Sequence, residues 1–565
     1  MSLKLIIFIL SILNYPSVFC HKCGADLLIK KFGVKPNRTS EGVKKRNLDT
    51  DYTPINIKID YTVLDIQKRQ NLINDNNYKT FKDELENIAE YFKKIVSVQY
   101  ERFDNGSLLE KIKNHCYSSI TSIGDVGSYD LIVYPQVDTE EEYVSNGVIA
   151  AASHCLLSET ERPIVGIVLL NKELNSKIDL MHYIRNTLFH EFFHILGFNH
   201  IFFTQTLTKN SYTYLNSPKL LEKAKIHFGC DNIEGIRMED QGESGTVGSH
   251  WDARYMQGEL MIAEDYSEVV LSEMTLAFLE DLGYYKVNYY TGGLFRFGKN
   301  QGCAFLQKKC VYSEGALFPN EFCSEPNAPI CTGSHTSKGI CYLIRYRNNL
   351  PENYRYFTDP NYGGKIMADY CPISFISEFD NDYNYPTNCV YGKKENSDEI
   401  IGNNSMCFES SINLSSKKSI CYQMECDRVN KQIKVKIGQK TIICNGEKND
   451  MENPEGLTGN LSCPDYNMIC TSDIWCNNMF DCINKESTPD ESTYYYISNR
   501  GELEERDNYF LNLDDSLKYN LVNSNGNNGN NGNNDNNDNN DYNDSNGYNF
   551  CFQRYIWQNL LFILF

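Results

Sequence analysis

His190-Glu191-Phe192-Phe193-His194-Ile195-Leu196-Gly197 is the stretch on which the fold of this chain turns. Residues four apart on an α-helix lie on one side, so His190 and His194 hold two imidazoles at the spacing that one tetrahedral zinc requires. Glu191 lies beside them, where its carboxylate can accept a proton from a water on the metal. Ile184, Leu188, Phe192 and Ile195 form an apolar stripe on the opposite side. The pattern therefore predicts a helix whose back packs on a core while its histidines line a cleft. Gly197 permits the left-handed turn that ends such a helix.

A zinc site that keeps one position open for water needs a third protein ligand, and two residues compete for the place. His200 completes the metzincin spacing His-Glu-x-x-His-x-x-Gly-x-x-His as it stands. His250 lies fifty residues further on, within Gly248-Ser249-His250-Trp251. Around it stand Glu239-Asp240-Gln241-Gly242, then Glu259-Leu260-Met261, then Leu276-Ala277-Phe278-Leu279-Glu280-Asp281-Leu282-Gly283-Tyr284. These segments resemble the leishmanolysin family of surface metalloproteases. The resemblance implies that residues 201–249 are an insertion, that His250 is the third ligand and that Met261 is the Met-turn residue. It extends through Phe297 to Cys310, Tyr356 to Pro360 and Met367 to Pro372, and covers roughly Asp49 to Cys482. It further implies that His21-Lys22-Cys23 is a propeptide motif whose Cys23 thiolate takes the fourth zinc position. A coordinating thiol is deprotonated and displaces the water that catalysis needs, so such a switch holds an enzyme latent.

The rest of the chain sets the context for this helix. Among 565 residues, 54 Lys and Arg face 74 Asp and Glu, a net charge of −20 that repels phosphate backbones and anionic headgroups. Nucleic acid is thereby excluded as a partner. Twenty-one cysteines point to an oxidising compartment, and the apolar run in residues 1–20 reads as a secretory signal. Sequons at Asn37, Asn105, Asn403, Asn413, Asn460 and Asn543 fit that route. Residues 21–46 end in Lys44-Lys45-Arg46 and read as a propeptide with a processing site rather than as a folded element.

Alternation at Ile55, Ile57, Ile59, Tyr61 and Val63 predicts a half-buried strand, and the apolar runs Asp130 to Tyr134 and Pro163 to Leu170 predict two more. Helical spacing runs from Phe81 to Val98, and the histidine helix should begin near Ile178. With the resemblance, the expected fold is α+β: a metzincin-type zincin catalytic region over 47–300 and a disulfide-rich, loop-rich C-terminal domain over 301–495. An insertion helix is expected around Leu220 to Phe228. Setting aside Cys20, Cys23 and Cys551 leaves eighteen cysteines for nine bridges. Cys116 should pair with Cys155, since no other mature cysteine precedes the histidine helix. The acidic run around Cys470 to Cys482 faintly echoes a calcium module whose upstream half is missing, so no calcium is assigned there. Residues 496–545 read as an Asn-rich stalk. Residues 546–565 have the layout of a GPI-attachment signal, and Arg554, Gln558 and Asn559 argue against a spanning helix.

These features lead to the expectation of a zinc endopeptidase, secreted or on the cell surface, with one zinc per chain and protein or peptide substrates. A membrane would be met only through a C-terminal anchor. The alternative is a catalytically inactive cell-surface adhesion protein on the same fold, which leaves Glu191 beside intact ligands without a purpose.

Overall fold

The apolar runs of the N-terminal half become the middle of a sheet. The computed structural model of the chain describes residues 22–36 and 52–470 apart from brief gaps, the longest being 139–147, 172–180, 377–386 and 445–455, and describes 508, 511 and 512 beyond them. Its first strands are β1 (Lys22–Cys23), β2 (Tyr52–Pro54), β3 (Ile57–Ile59), β4 (Val96–Gln99), β5 (Leu131–Val137), β6 (Val148–Leu157) and β7 (Pro163–Leu170). Five of them form one sheet in the order β1-β6-β7-β5-β3. β3, β5 and β7 are parallel, and β6 runs antiparallel to β7. Every residue of β7 is buried, as expected of an inner strand covered on both faces.

Two helices lie against this frame. The helix Met181–Leu196 carries the histidines, and the helix Asp75–Ile95 packs on it. The Phe92 ring of the second meets Phe189, Phe192 and Phe193 of the first at 5.1, 5.5 and 5.3 Å. Arg185 adds a two-pronged pair with the buried Glu84 at 2.6 and 2.8 Å. At Gly166 of β7, an added Cβ would stand 2.5 Å from Ile195 Cγ2, so glycine there lets the histidine helix approach the sheet.

Some local expectations need correcting. The strand foreseen through Val63 stops at Ile59, because the Asp60 carboxylate accepts from the Thr62 amide and hydroxyl at 3.1 and 2.6 Å. A helix, Thr62–Arg69, then follows and buries Leu64. The helix foreseen from Phe81 begins at Asp75, where the Asn74 side chain caps the Asn77 amide, and it gives way at Val96 to β4. Within 21–46, the described residues 22–36 are folded: after β1 comes a helix, Ala25–Phe32, that buries Ala25, Leu28 and Ile29. Its basic residues Lys30 and Lys31 mask an amphipathic pattern. The expected insertion helix is present as Pro218–Phe228.

The cysteine-rich part is stapled as foreseen but is not all loop. Eight disulfides are present among the described residues, Cys116–Cys155 among them, and Cys476 and Cys482 lie outside those residues. Ser405–Ser410, Lys418–Asp427, Gln432–Ile437 and Lys440–Cys444 form an antiparallel sheet over its own core of Phe408, Tyr422, Ile433 and Val435. The larger core runs from Ile55 through to Ile373. No helix of the described residues is long and apolar enough to cross a membrane. The signal, most of the stalk and the C-terminal tail lie outside the described residues.

Candidate metal centre

The histidine helix ends where its glycine demands. Gly197 has φ +118°, and the chain folds back so that the Phe198 carbonyl accepts the Nδ1 proton of His194 at 2.6 Å. The Asn199 amide side chain donates to the His194 carbonyl at 2.9 Å and secures the turn. His190 donates from Nδ1 to the Leu260 carbonyl at 2.6 Å, and His250 donates from its own Nδ1 to the Thr246 carbonyl at 2.8 Å. A carbonyl can only accept, so all three imidazoles are set as the tautomer whose Nε2 carries a lone pair.

Those three lone pairs converge. His194 Nε2 lies 2.9 Å from His190 Nε2 and 3.2 Å from His250 Nε2. Lone pairs at that distance repel unless a cation lies among them. Burial, reinforced by the neighbouring His250, lowers the pKa of His190 to about 3, and burial drives His194 well below its ordinary value. Protons are therefore not the cation the site favours. On a tetrahedral zinc with bonds of about 2.0–2.1 Å, ligand nitrogens stand roughly 3.3 Å apart, so the donor set and its spacing fit that ion.

A fourth group completes the cluster. Cys23, in no disulfide and partly buried, puts its Sγ 3.4 Å from His194 Nε2, and the four donor atoms all lie within 4.8 Å of one another. For a thiolate and an imidazole on one zinc the separation is about 3.5 Å. The same thiol donates to Glu191 Oε1 at 3.3 Å. Burial pushes the Glu191 carboxyl up to about 8, a rise that the thiol's hydrogen bond opposes. Cys23 arrives on β1, which pairs in parallel with the outer edge of β6.

The structure thus gathers His190, Glu191, His194, His250 and Cys23 in one place, with Met261 buried in the turn whose Leu260 carbonyl binds His190. It leaves His200 out. That side chain is exposed, and its Nδ1 meets the Ser249 hydroxyl at 3.2 Å. His250 is held by backbone bonds on either side of it: its carbonyl accepts from the Glu239 amide, and the Trp251 amide donates to the Met261 carbonyl, both at 2.9 Å. Sequence reasoning missed β6 and the three carbonyls that orient the imidazoles, since a backbone carbonyl leaves no mark on composition.

Comparison with known proteins gives the family. A family model described as leishmanolysin matches residues 117–476. A leishmanolysin homolog of Crithidia fasciculata is 31% identical over 364 residues, which are 58% of this chain and 54% of that protein. Leishmanolysin of Leishmania major is 33% identical over 257 residues, 43% of this chain and 41% of that protein. A leishmanolysin-like peptidase of Drosophila pseudoobscura pseudoobscura is 25% identical over 475 residues, 67% of this chain and 69% of that protein. The chain thus spans about half or less of the Crithidia and Leishmania relatives. With the family model covering well over half of the sequence, the chain belongs to the leishmanolysin family.

Proposed function

We propose that this chain is a zinc endopeptidase that hydrolyses peptide bonds in protein or peptide substrates and is held latent by Cys23. The convergence of three Nε2 lone pairs beside the buried Glu191 carboxylate carries this reading. His190, His194 and His250 would hold the metal. Zinc bound there supplies a Lewis acid that polarises the scissile carbonyl and lowers the pKa of a water toward neutrality. Glu191 accepts the attacking water's proton and passes it to the leaving amine. Met261 forms an apolar floor and is not a ligand. Cys23 would occupy the place that water takes, with its sulfur standing 3.3 Å from Glu191 Oε1, so removal of residues 21–46 would uncover both the base and the edge of β6. In this reading residues 47–300 are a metzincin-like catalytic region with the insertion 201–249, and 301–495 a cysteine-rich domain. The signal in 1–20 and the tail in 546–565 support a secreted or surface-anchored protein. The sequon residues Asn105, Asn403, Asn413 and Asn460 are exposed, which glycosylation requires.

Glu191→Gln tests the mechanism, because the amide keeps the shape while removing the base. Peptide cleavage by the processed protein should fall by roughly 10²- to 10⁴-fold with zinc content unchanged. Near-parental turnover with one zinc bound would refute the role of Glu191; a processed parent that binds zinc and cleaves no peptide in an unbiased library would favour the adhesion alternative.

A further inference from the structure

We propose that Glu259 is a positioning residue of the metal centre, its buried carboxylate fixing the turn that orients both His190 and His250. This rests on the reading of the site as a zinc centre. Glu259 is fully buried. Its Oε1 accepts from the Ser272 amide at 3.0 Å, the Ser272 hydroxyl at 2.8 Å and the Thr275 hydroxyl at 2.6 Å, while its Oε2 accepts from the Met261 amide. A buried carboxylate is costly unless donors surround it, and here four do. The hydroxyl protons have no freedom to point elsewhere. Thr275 Oγ1 accepts from the Trp251 indole at 2.9 Å, and Ser272 Oγ accepts from the Thr275 amide at 3.3 Å as a helix cap, so both hydroxyls donate to Glu259.

Two arms lead from this hub to the metal ligands. In the first, the carboxylate holds the Met261 amide and so sets the peptide of Leu260, whose carbonyl accepts from His190 Nδ1 at 2.6 Å. In the second, it holds Thr275, which holds the Trp251 indole, and the Met261 carbonyl accepts from the Trp251 amide at 2.9 Å. Trp251 adjoins His250. One side chain therefore governs the orientation of ligands sixty residues apart in sequence. An amide cannot replace it: with Nε2 in either carboxylate position, an N–H donor faces the Met261 or the Ser272 amide, donor to donor.

The test compares the parent full-length chain with Glu259→Gln and Thr275→Val, the latter keeping its shape while cutting the link to Trp251. Zinc retention against a graded chelator and the absorption spectrum of the cobalt-substituted proteins are measured at a temperature where circular dichroism shows each protein folded. Glu259→Gln should weaken zinc retention by about 10- to 100-fold and shift the cobalt bands. Thr275→Val should do the same to a lesser degree, and it decides the matter if Glu259→Gln does not fold. A merely structural role would lower the melting temperature and leave the cobalt spectrum alone. Folded variants with parental zinc retention and parental cobalt bands would overturn the proposal while leaving the zinc site standing. A parent that binds no zinc, or binds it equally well as His190→Ala, would overturn the site and this proposal together.

Discussion

Replacing His250 by alanine, beside the same change at His200, sets the two candidate ligands against each other. His250 is fully buried, 3.2 Å from His194 Nε2. Structural zinc sites with four protein ligands bind with about 10–16 kcal/mol, so one ligand accounts for about 2.5–4 kcal/mol. His250→Ala should accordingly lower zinc affinity by roughly 10²- to 10³-fold. At His200 the exposed ring meets the Ser249 hydroxyl, and the backbone amide of the same residue reaches that hydroxyl too, at 3.2 Å. The amide's bond survives His200→Ala, so the change should stay within about 0.5 kcal/mol, as exposed substitutions do. The assay is zinc per chain after dialysis against a weak chelator, together with the peptidase rate of the processed proteins. A His250→Ala protein that keeps one zinc and cleaves peptide, next to an inactive His200→Ala protein, would refute the assignment.

Cys23→Ser should release activity in the unprocessed chain, because a hydroxyl is a far poorer zinc ligand than a thiolate; an unprocessed variant as silent as the parent zymogen would contradict the switch. Phe92→Ala, which empties the ring cluster behind the histidine helix, should cost about 3–5 kcal/mol in denaturant unfolding, and a loss under about 1 kcal/mol would show that Phe92 does not support the helix. Acid should weaken the fold through two histidines away from the metal centre. Burial holds His154 at about 4 and His227 at about 3, so below the ordinary value of 6.5 the unfolded chain binds protons that the folded chain refuses. Stability is then full above pH 6.5 and falls as pH drops toward 4, by about 1.4 kcal/mol per pH unit for each histidine; His227→Gln should flatten the slope, and an unchanged slope would count against it.

Much of the site is legible in the residues themselves, though unevenly. The helix of His190 and His194 follows from spacing among neighbours, and β7 coincides with its apolar run because a strand covered on both faces needs no polar residue. Alternation over-extends the strand past Ile59, since a period of two persists by chance while the Asp60 side chain turns the backbone. β6 escapes notice although Glu191 and Cys23 both sit against its end of the sheet. The helix of residues Ala25–Phe32 is hidden by its basic end.

What the sequence alone determines is what neighbouring residues encode: a helix presenting two imidazoles and a carboxylate, the strands of unbroken apolar character, the one cysteine pair that position isolates, and kinship with the leishmanolysin family. Between His200 and His250 residue types cannot choose, because either histidine suits zinc. The tertiary structure separates them: the fifty-residue excursion returns so that the His200 amide donates to the Ser249 hydroxyl, and the bonds from Glu239 to His250 and from Trp251 to Met261 hold His250 inward while His200 faces solvent. Seven further disulfides and the bond from His190 to the Leu260 carbonyl likewise join segments that only folding brings together. Local periodicity is written in adjacent residues, whereas such closures depend on the packing of distant segments against one another, and no short stretch of sequence carries that information.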